Sequence, residues 1–227
     1  MVENEKYLIV SPHSDDALLC AAHVILGDGF EVEIVTVEND PIRIEEDKKL
    51  YGFLNIPFHH LDVEFKDESY YGHKKEYPQG VTVENSFAYL RSYLGSDTLN
   101  EIEEALHSFI RKFFKDKKHR GFKILAPWGI GHPFHLFVRY CVQLEVSNAE
   151  YYREFPHSYK KRAQAQVELQ SREYELVRSV PVEGFADIKW KLARKFYRSQ
   201  SGLLFYEQGY IKKNLPEEIW ARDVLPF

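Results

Sequence analysis

Two short segments hold residues whose types and spacing could do chemistry. In one, His13-Ser14-Asp15-Asp16 sets an imidazole and two adjacent carboxylates just after an apolar run, KYLIV. In the other, His132-Pro133-Phe134-His135 follows a second apolar run, FKILAP, and a glycine-bearing WGIG. Histidine and carboxylate are the ligands of catalytic zinc, which takes three protein donors at roughly 2.0–2.2 Å and leaves a fourth position to water. His13, Asp16 and His135 could supply the three. Asp15, pointing elsewhere from the adjacent position, could take a proton from a water whose pKa the metal lowers to around 7. Pro133 biases His132 toward extended backbone and suits the first position of a helix. His132 would then enter the site from the loop and His135 from the first turn. Each half alone has a plainer explanation: Ser14 as an N-cap with Asp15 and Asp16 in the first helical turn, and Gly-His-Pro as an ordinary turn. The chemical reading depends on the two halves meeting.

Hydrophobic patterning says how they could meet. Tyr7–Val10 reads as a buried strand, followed by a helix from about Asp16 to Leu26 that the Gly-Asp-Gly at 27–29 ends. EVEIVTV (31–37) is a second strand, RIEEDKKLYGFLNI (43–56) a helix and FHHLDV (58–63) a third strand. This β-α-β-α-β alternation implies a parallel sheet with right-handed crossovers. Residues 64–97, with their Gly, Pro and tyrosines, read as a long excursion over the surface, of the kind that often serves as a lid or binding loop. A helix at Leu99–Phe114, the FKILAP strand (122–127) and a helix starting near His135 follow. Later, EYYREF and EYELVRSVPV suit strands, Ala186–Gln200 a helix and LPEEIWARD a short last turn. If the strand order is 3-2-1-4, the first and fourth strands are neighbours at the point where the order reverses, where ligands bind in doubly wound sheets. The two histidine loops would then face each other.

Composition narrows the function classes. At 227 residues with 44% hydrophobic content, the chain can bury one sizeable core. The net charge of −5 argues against nucleic acid or an anionic membrane as partner, and the basic run Lys112–Arg120 reads as the solvated end of a helix. Cys20 and Cys141 fall in apolar helical patterns and read as buried free thiols of a reducing compartment. The first residues lack the basic flank and apolar stretch of a signal peptide, and no run reaches the roughly 18 apolar residues of a membrane span. A cytoplasmic protein is therefore expected. The remaining histidines, among them His59, His60, His73, His107 and His119, read as structural or surface residues.

At its two motifs the chain resembles the LmbE-like, PIG-L type family of zinc-dependent N-acetylglucosaminyl deacetylases. The family's Pro-His-Pro-Asp-Asp-Glu is similar to Pro12-His13-Ser14-Asp15-Asp16-Ala17, and its His-Pro-Asp-His to His132-Pro133-Phe134-His135. Arg43-x-x-Glu46 with Leu50 and Leu54-Asn55-Ile56 resembles the family's R-x-x-E helix, and KWKLARKFYRSQ (189–200) its late Lys and Tyr-x-Ser-Gln element. The resemblance implies a single domain over 1–227 with a Rossmann-like three-layer α/β sandwich, its core at about 1–148 and a small C-terminal extension at about 149–227. It implies His13, Asp16 and His135 as zinc ligands, Asp15 as general base and His132 as the residue that stabilises the oxyanion. Ferrous iron suits the same donors. The implied reaction removes an acetyl group from an N-acetylated amino sugar or its conjugate. Two departures stand out: Ala17 replaces a Glu, and Phe134 replaces an Asp that would orient a neighbour by hydrogen bonding.

Substrate contacts are open in the residues themselves. Arg43 could meet an anionic substituent or pair with Glu46 on its own helix. Trp128 and the tyrosines of SYYGHKKEY could face a sugar ring, with core packing the alternative for Trp128. A nucleotide-dependent transferase or dehydrogenase is disfavoured, because SPHSDDA stands where a glycine-rich phosphate loop would follow the first strand. A catalytically weak sugar-binding or interaction protein that keeps the pocket is the other alternative, with Phe134 in its favour. The oligomeric state is open, a homo-oligomer included.

Overall fold

The computed structural model describes residues 4–63, 65, 83–160, 163–181, 185–202 and 215–222. It is α/β, with a seven-stranded mixed sheet flanked by helices. The strands are β1 (Glu5–Ser11), β2 (Phe30–Thr36), β3 (Phe58–His60), β4 (Phe122–Pro127), β5 (Glu150–Tyr152), β6 (Tyr174–Val180) and β7 (Glu217–Arg222). Their spatial order is β3-β2-β1-β4-β5-β7-β6. β1 to β5 run parallel, and β7 runs antiparallel to both β5 and β6.

Strand alternation feeds two cores, one on each face. Leu8 and Val10 of β1 join Val35 of β2 and Ile124 and Ala126 of β4 beneath α4 (Val83–Leu94), α5 (Ser96–Lys115) and α6 (Pro133–Glu145). Tyr7, Ile9, Ile34 and Leu125 point the other way, toward α1 (Asp16–Cys20), α2 (Ala22–Leu26), α3 (Pro41–Leu54) and α8 (Ala186–Phe196). A strand buried on both faces reads as a continuous apolar run, which is why KYLIV and FKILAP stand out. The helices present single stripes instead: α5 buries Leu99, Ile102, Leu106, Ile110 and Phe113. α3 starts where Asp40 accepts from the N–H groups of Ile42 and Arg43 with Pro41 behind it, and stops where Asn55 turns left-handed at φ 56°.

Several elements differ from the expectation. The first helix is two helices, broken at Ala21, whose φ of −133° is not helical. Ser14 does not cap it: the preceding residue is Asp15, and the N–H of Ala17 is taken instead by Ser11 Oγ, reaching back from the end of β1 (3.0 Å). Helix α4 occupies part of the stretch expected to be irregular, while the SYYGHKKEY tyrosines lie outside the described residues. α7 (Gln164–Gln170) was not foreseen. Within LPEEIWARD, Glu217–Arg222 forms β7 rather than a turn, since Ile219 packs into one core and Glu217 finds the buried Lys189. The segment after 149 supplies three strands of the common sheet, β5, β6 and β7.

Candidate metal centre

The two histidine loops meet as the strand order requires. β1 and β4 are adjacent, with Ile9 beside Leu125, and both loops leave their carboxyl ends. Ser11 ties the first loop down, its Oγ donating to the His13 carbonyl at 2.6 Å. Two tyrosines reach the Ser14 carbonyl from elsewhere, Tyr197 Oη at 2.6 Å and Tyr51 Oη at 3.4 Å. In the second loop, Gly129 and Gly131 take φ of 78° and 76°, conformations that a side chain resists. A Cβ on Gly129 would lie 2.8 Å from the Leu136 backbone. His132 is extended (φ −139°, ψ 121°) with Pro133 opening α6, so His135 falls in the first helical turn.

Three donor atoms converge here. His13 Nδ1 lies 3.0 Å from Asp16 Oδ2 and 3.1 Å from His135 Nε2, and the latter is 3.1 Å from Asp16 Oδ2. Tetrahedral zinc with bonds of about 2.0 Å spaces its ligand atoms by about 3.3 Å, so this near-equilateral triangle matches one face of such a site. His132 stands beside it, its ring 4.6 Å from that of His135 and 5.0 Å from that of His13. His13, His132 and His135 lie close enough to hold a metal ion, each offering a nitrogen within 4.8 Å of the others. Asp16, His132 and His135 are buried, whereas the His13 side chain keeps 12% exposure and marks the open side.

Burial and mutual charge shape the electrostatics. Burial pushes Asp15 upward and the neighbouring Asp16 adds to it, reaching about 7 against the pull of Arg43 and His13. Burial would raise Asp16 too, but His135 and His13 outweigh it and hold the carboxylate well below the usual range. For His135 burial works downward, yet Asp16 prevails and lifts it to about 9. His157, whose ring lies 5.1 Å from that of His132, is driven well below the ordinary histidine value by burial and the neighbouring histidines.

The late helix and the turn after it close over the first motif. The residues Arg198–Gln200 form a short 3-10 turn beyond α8. With its amide nitrogen turned inward, Gln200 donates to both Asp15 oxygens, at 2.8 and 3.3 Å. The backbone N–H and hydroxyl of Ser199 both donate to Glu46, at 2.7 Å each. The Arg43 guanidinium donates to the buried Glu38 carboxylate, just before α3. Trp128 is not at the site. It is fully buried and stacked on Trp220, ring centroids 4.5 Å apart, so core packing accounts for it. Phe134 is also fully buried, against Phe65 and Phe137, with one side toward His13.

Residues that pattern reading missed are Glu154 and His157, both in the turn following β5. Their sequence context, EYYREFPHS, shows an acid in an aromatic-rich run, the one signal that a carboxylate there is buried. Of the remaining histidines, His59 and His119 pair with Glu33 and His60 with Asp47, away from the centre, while His73 lies outside the described residues. Both cysteines are buried and free. No helix among the described residues is long and apolar enough to cross a membrane. Comparison with protein-family models, with curated proteins and with solved structures finds no match.

Proposed function

We propose that this protein is a metal-dependent amide hydrolase of the LmbE-like, PIG-L type, removing an acetyl group from an N-acetylated amino sugar or its conjugate. The observation that carries the reading is the triangle of His13 Nδ1, Asp16 Oδ2 and His135 Nε2, with edges of 3.0 to 3.1 Å. Two imidazoles and one carboxylate are the donor set of zinc hydrolases, and ferrous iron accepts the same set. When bound, the ion would supply Lewis-acid polarisation of the acyl carbonyl and an acidified water. The chain's own residues divide the remaining work. Asp15, adjacent to a ligand yet not part of the triangle, takes a proton at its carboxylate and is held in orientation by Gln200. His132, whose ring lies 4.6 Å from that of His135 and 5.0 Å from that of His13, would stabilise the negative charge that grows on the acyl oxygen. Arg43, itself paired with Glu38, favours the ionised form of Asp15.

A sugar-binding protein without turnover is the second reading, and Phe134 favours it. Its buried ring puts no carboxylate beside His132. The deciding experiment combines metal analysis with an amine-release assay on a panel of N-acetylhexosamine conjugates. Near-stoichiometric zinc, lost in His13→Ala and His135→Ala, together with turnover that vanishes in Asp15→Asn, is expected. Metal-free folded protein refutes the hydrolase, and zinc-loaded protein inert across the panel favours the binding reading.

A further inference from the structure

The carboxylate that stands behind His135 comes from the turn after β5, outside both motifs. Glu154 lies two residues beyond β5 and is fully buried. Its Oε1 accepts from the backbone N–H groups of Gly129 and Ile130, the latter at 3.1 Å, and lies 3.8 Å from His135 Nδ1. Among the described residues, neither Glu154 Oε2 nor His135 Nδ1 has a hydrogen-bond partner, although both are buried. A buried polar atom without a partner is costly, and the Glu154 carboxylate lies beside the unpartnered ring nitrogen of His135.

We infer that Glu154 is a positioning residue of the metal centre, its carboxylate accepting the Nδ1–H of His135 and so directing the Nε2 lone pair at the point between His13 Nδ1 and Asp16 Oδ2. The inference rests on the reading of His13, Asp16 and His135 as ligands and adds a fourth residue to that reading. Its logic is tautomeric. A neutral imidazole carries one proton, so a carboxylate on Nδ1 leaves Nε2 as the donor atom and makes it more basic. The anchorage fits the role, because the two N–H groups that hold Oε1 belong to the loop leading into His132 and His135. Neighbouring bonds fix the turn as well: the Phe155 N–H donates to Cys20 Sγ at 3.3 Å, and Ser158 Oγ donates to the Glu154 carbonyl at 2.6 Å. β5 thus lends the centre a carboxylate from the strand next to β4, on the side away from Asp16.

Glu154→Gln separates positioning from mere support, since its amide oxygen can still accept from Gly129 and Ile130 while the charge toward His135 is gone. Zinc affinity of the full chain, by competition with a chromophoric chelator, is expected to fall roughly 10- to 100-fold with the fold retained. In zinc-loaded wild-type protein, an imidazole-selective 1H–15N spectrum should show a protected Nδ1–H that His135→Ala removes. A folded Glu154→Gln with wild-type zinc affinity overturns the inference, as does a His135 found unprotonated at Nδ1 in the wild type. The spectrum decides the matter should the variant not fold. Wild-type protein that binds no zinc, or binds it equally without His13 and His135, overturns the metal reading itself and this inference with it.

Discussion

Replacing Tyr197 by Phe removes one oxygen from the most connected hydroxyl near the first motif. Tyr197 Oη is 2.6 Å from the Ser14 carbonyl and 3.0 Å from Asp47 Oδ1, and both acceptors are buried. A net intramolecular hydrogen bond contributes about 0.5–1.5 kcal/mol, and a buried acceptor left bare costs about 1–3 kcal/mol. Neither acceptor is stripped completely: Tyr51 Oη stays 3.4 Å from Ser14 O, and Asp47 keeps Thr36 Oγ1 at 2.9 Å. The expected loss is therefore about 1–2 kcal/mol, or about 2–8 °C in Tm for a chain of this size. Tyr51→Phe, with the longer bond, should cost less, and the double variant more than the sum, because each tyrosine partly covers for the other. Urea unfolding measures all three. The effect should also reach the metal, since the Ser14 carbonyl sits between His13 and Asp15, and zinc affinity should weaken with Tyr197→Phe. Stability within about 0.3 kcal/mol of wild type, or a larger loss for Tyr51→Phe than for Tyr197→Phe, would refute the reasoning.

Other perturbations test separate parts of the structure. Asp15→Asn should keep zinc stoichiometry while lowering kcat/KM on any substrate found by about 100-fold or more, and unchanged turnover would move the base elsewhere. Gly129→Ala, at φ 78° and facing the Leu136 backbone, should destabilise by about 1–3 kcal/mol. Gly52→Ala, inside α3 with open space at its Cβ, should stabilise by about 0.5–1 kcal/mol, so equal effects at the two positions would contradict the geometry. Glu217 joins Lys189 and His23, each at 2.7 Å; burial would raise its pKa, but the Lys189 charge and the hydrogen bond to His23 outweigh burial and lower it below 4.5. Its folded-state pKa is depressed, so its contribution is fully present above 4.5 and is lost as pH falls through the folded value. The urea midpoint should drop on acidification in this window, and should drop less in Glu217→Gln, which at neutral pH is itself about 3–5 kcal/mol less stable for leaving Lys189 buried without its counter-charge.

Where a segment declares itself by local pattern, the chain could be read directly. β1, β2 and β4 are apolar runs bounded by polar turns, and α5 repeats its buried residues at helical spacing, so the sheet order around β1 and the meeting of the two loops were legible. The failures have physical causes. Ser14 looks like a cap by type, but Ser11 is nearer to the orphan N–H of Ala17 once the chain bends. Glu217 and Glu218 suggest solvent, yet a distant lysine and histidine neutralise the first inside a strand. Trp128 sits in a loop beside the site by sequence, and only the strand pairing that brings Trp220 beneath it turns it inward. Contacts of long sequence separation decide the last two cases, and local pattern carries no trace of them.

Those long-range contacts have a direction that bears on the site. The triangle of donor atoms is built from residues 13, 16 and 135, and besides Ser11 and Tyr51 much of what fixes it arrives later in the chain. Tyr197 and Gln200 hold the first loop, Glu154 holds the second, and Tyr152 Oη reaches the Val10 carbonyl beneath both at 3.1 Å. A centre within 0.1 Å of regular spacing needs rotamers locked from outside its own loops, because His13 alone keeps an open side. The segment after 149 is therefore the supporting shell of the centre as well as the edge of its sheet. Phe134, in the first turn of α6, commits its position to the core, where its ring packs against Phe65 and Phe137 with one side toward His13.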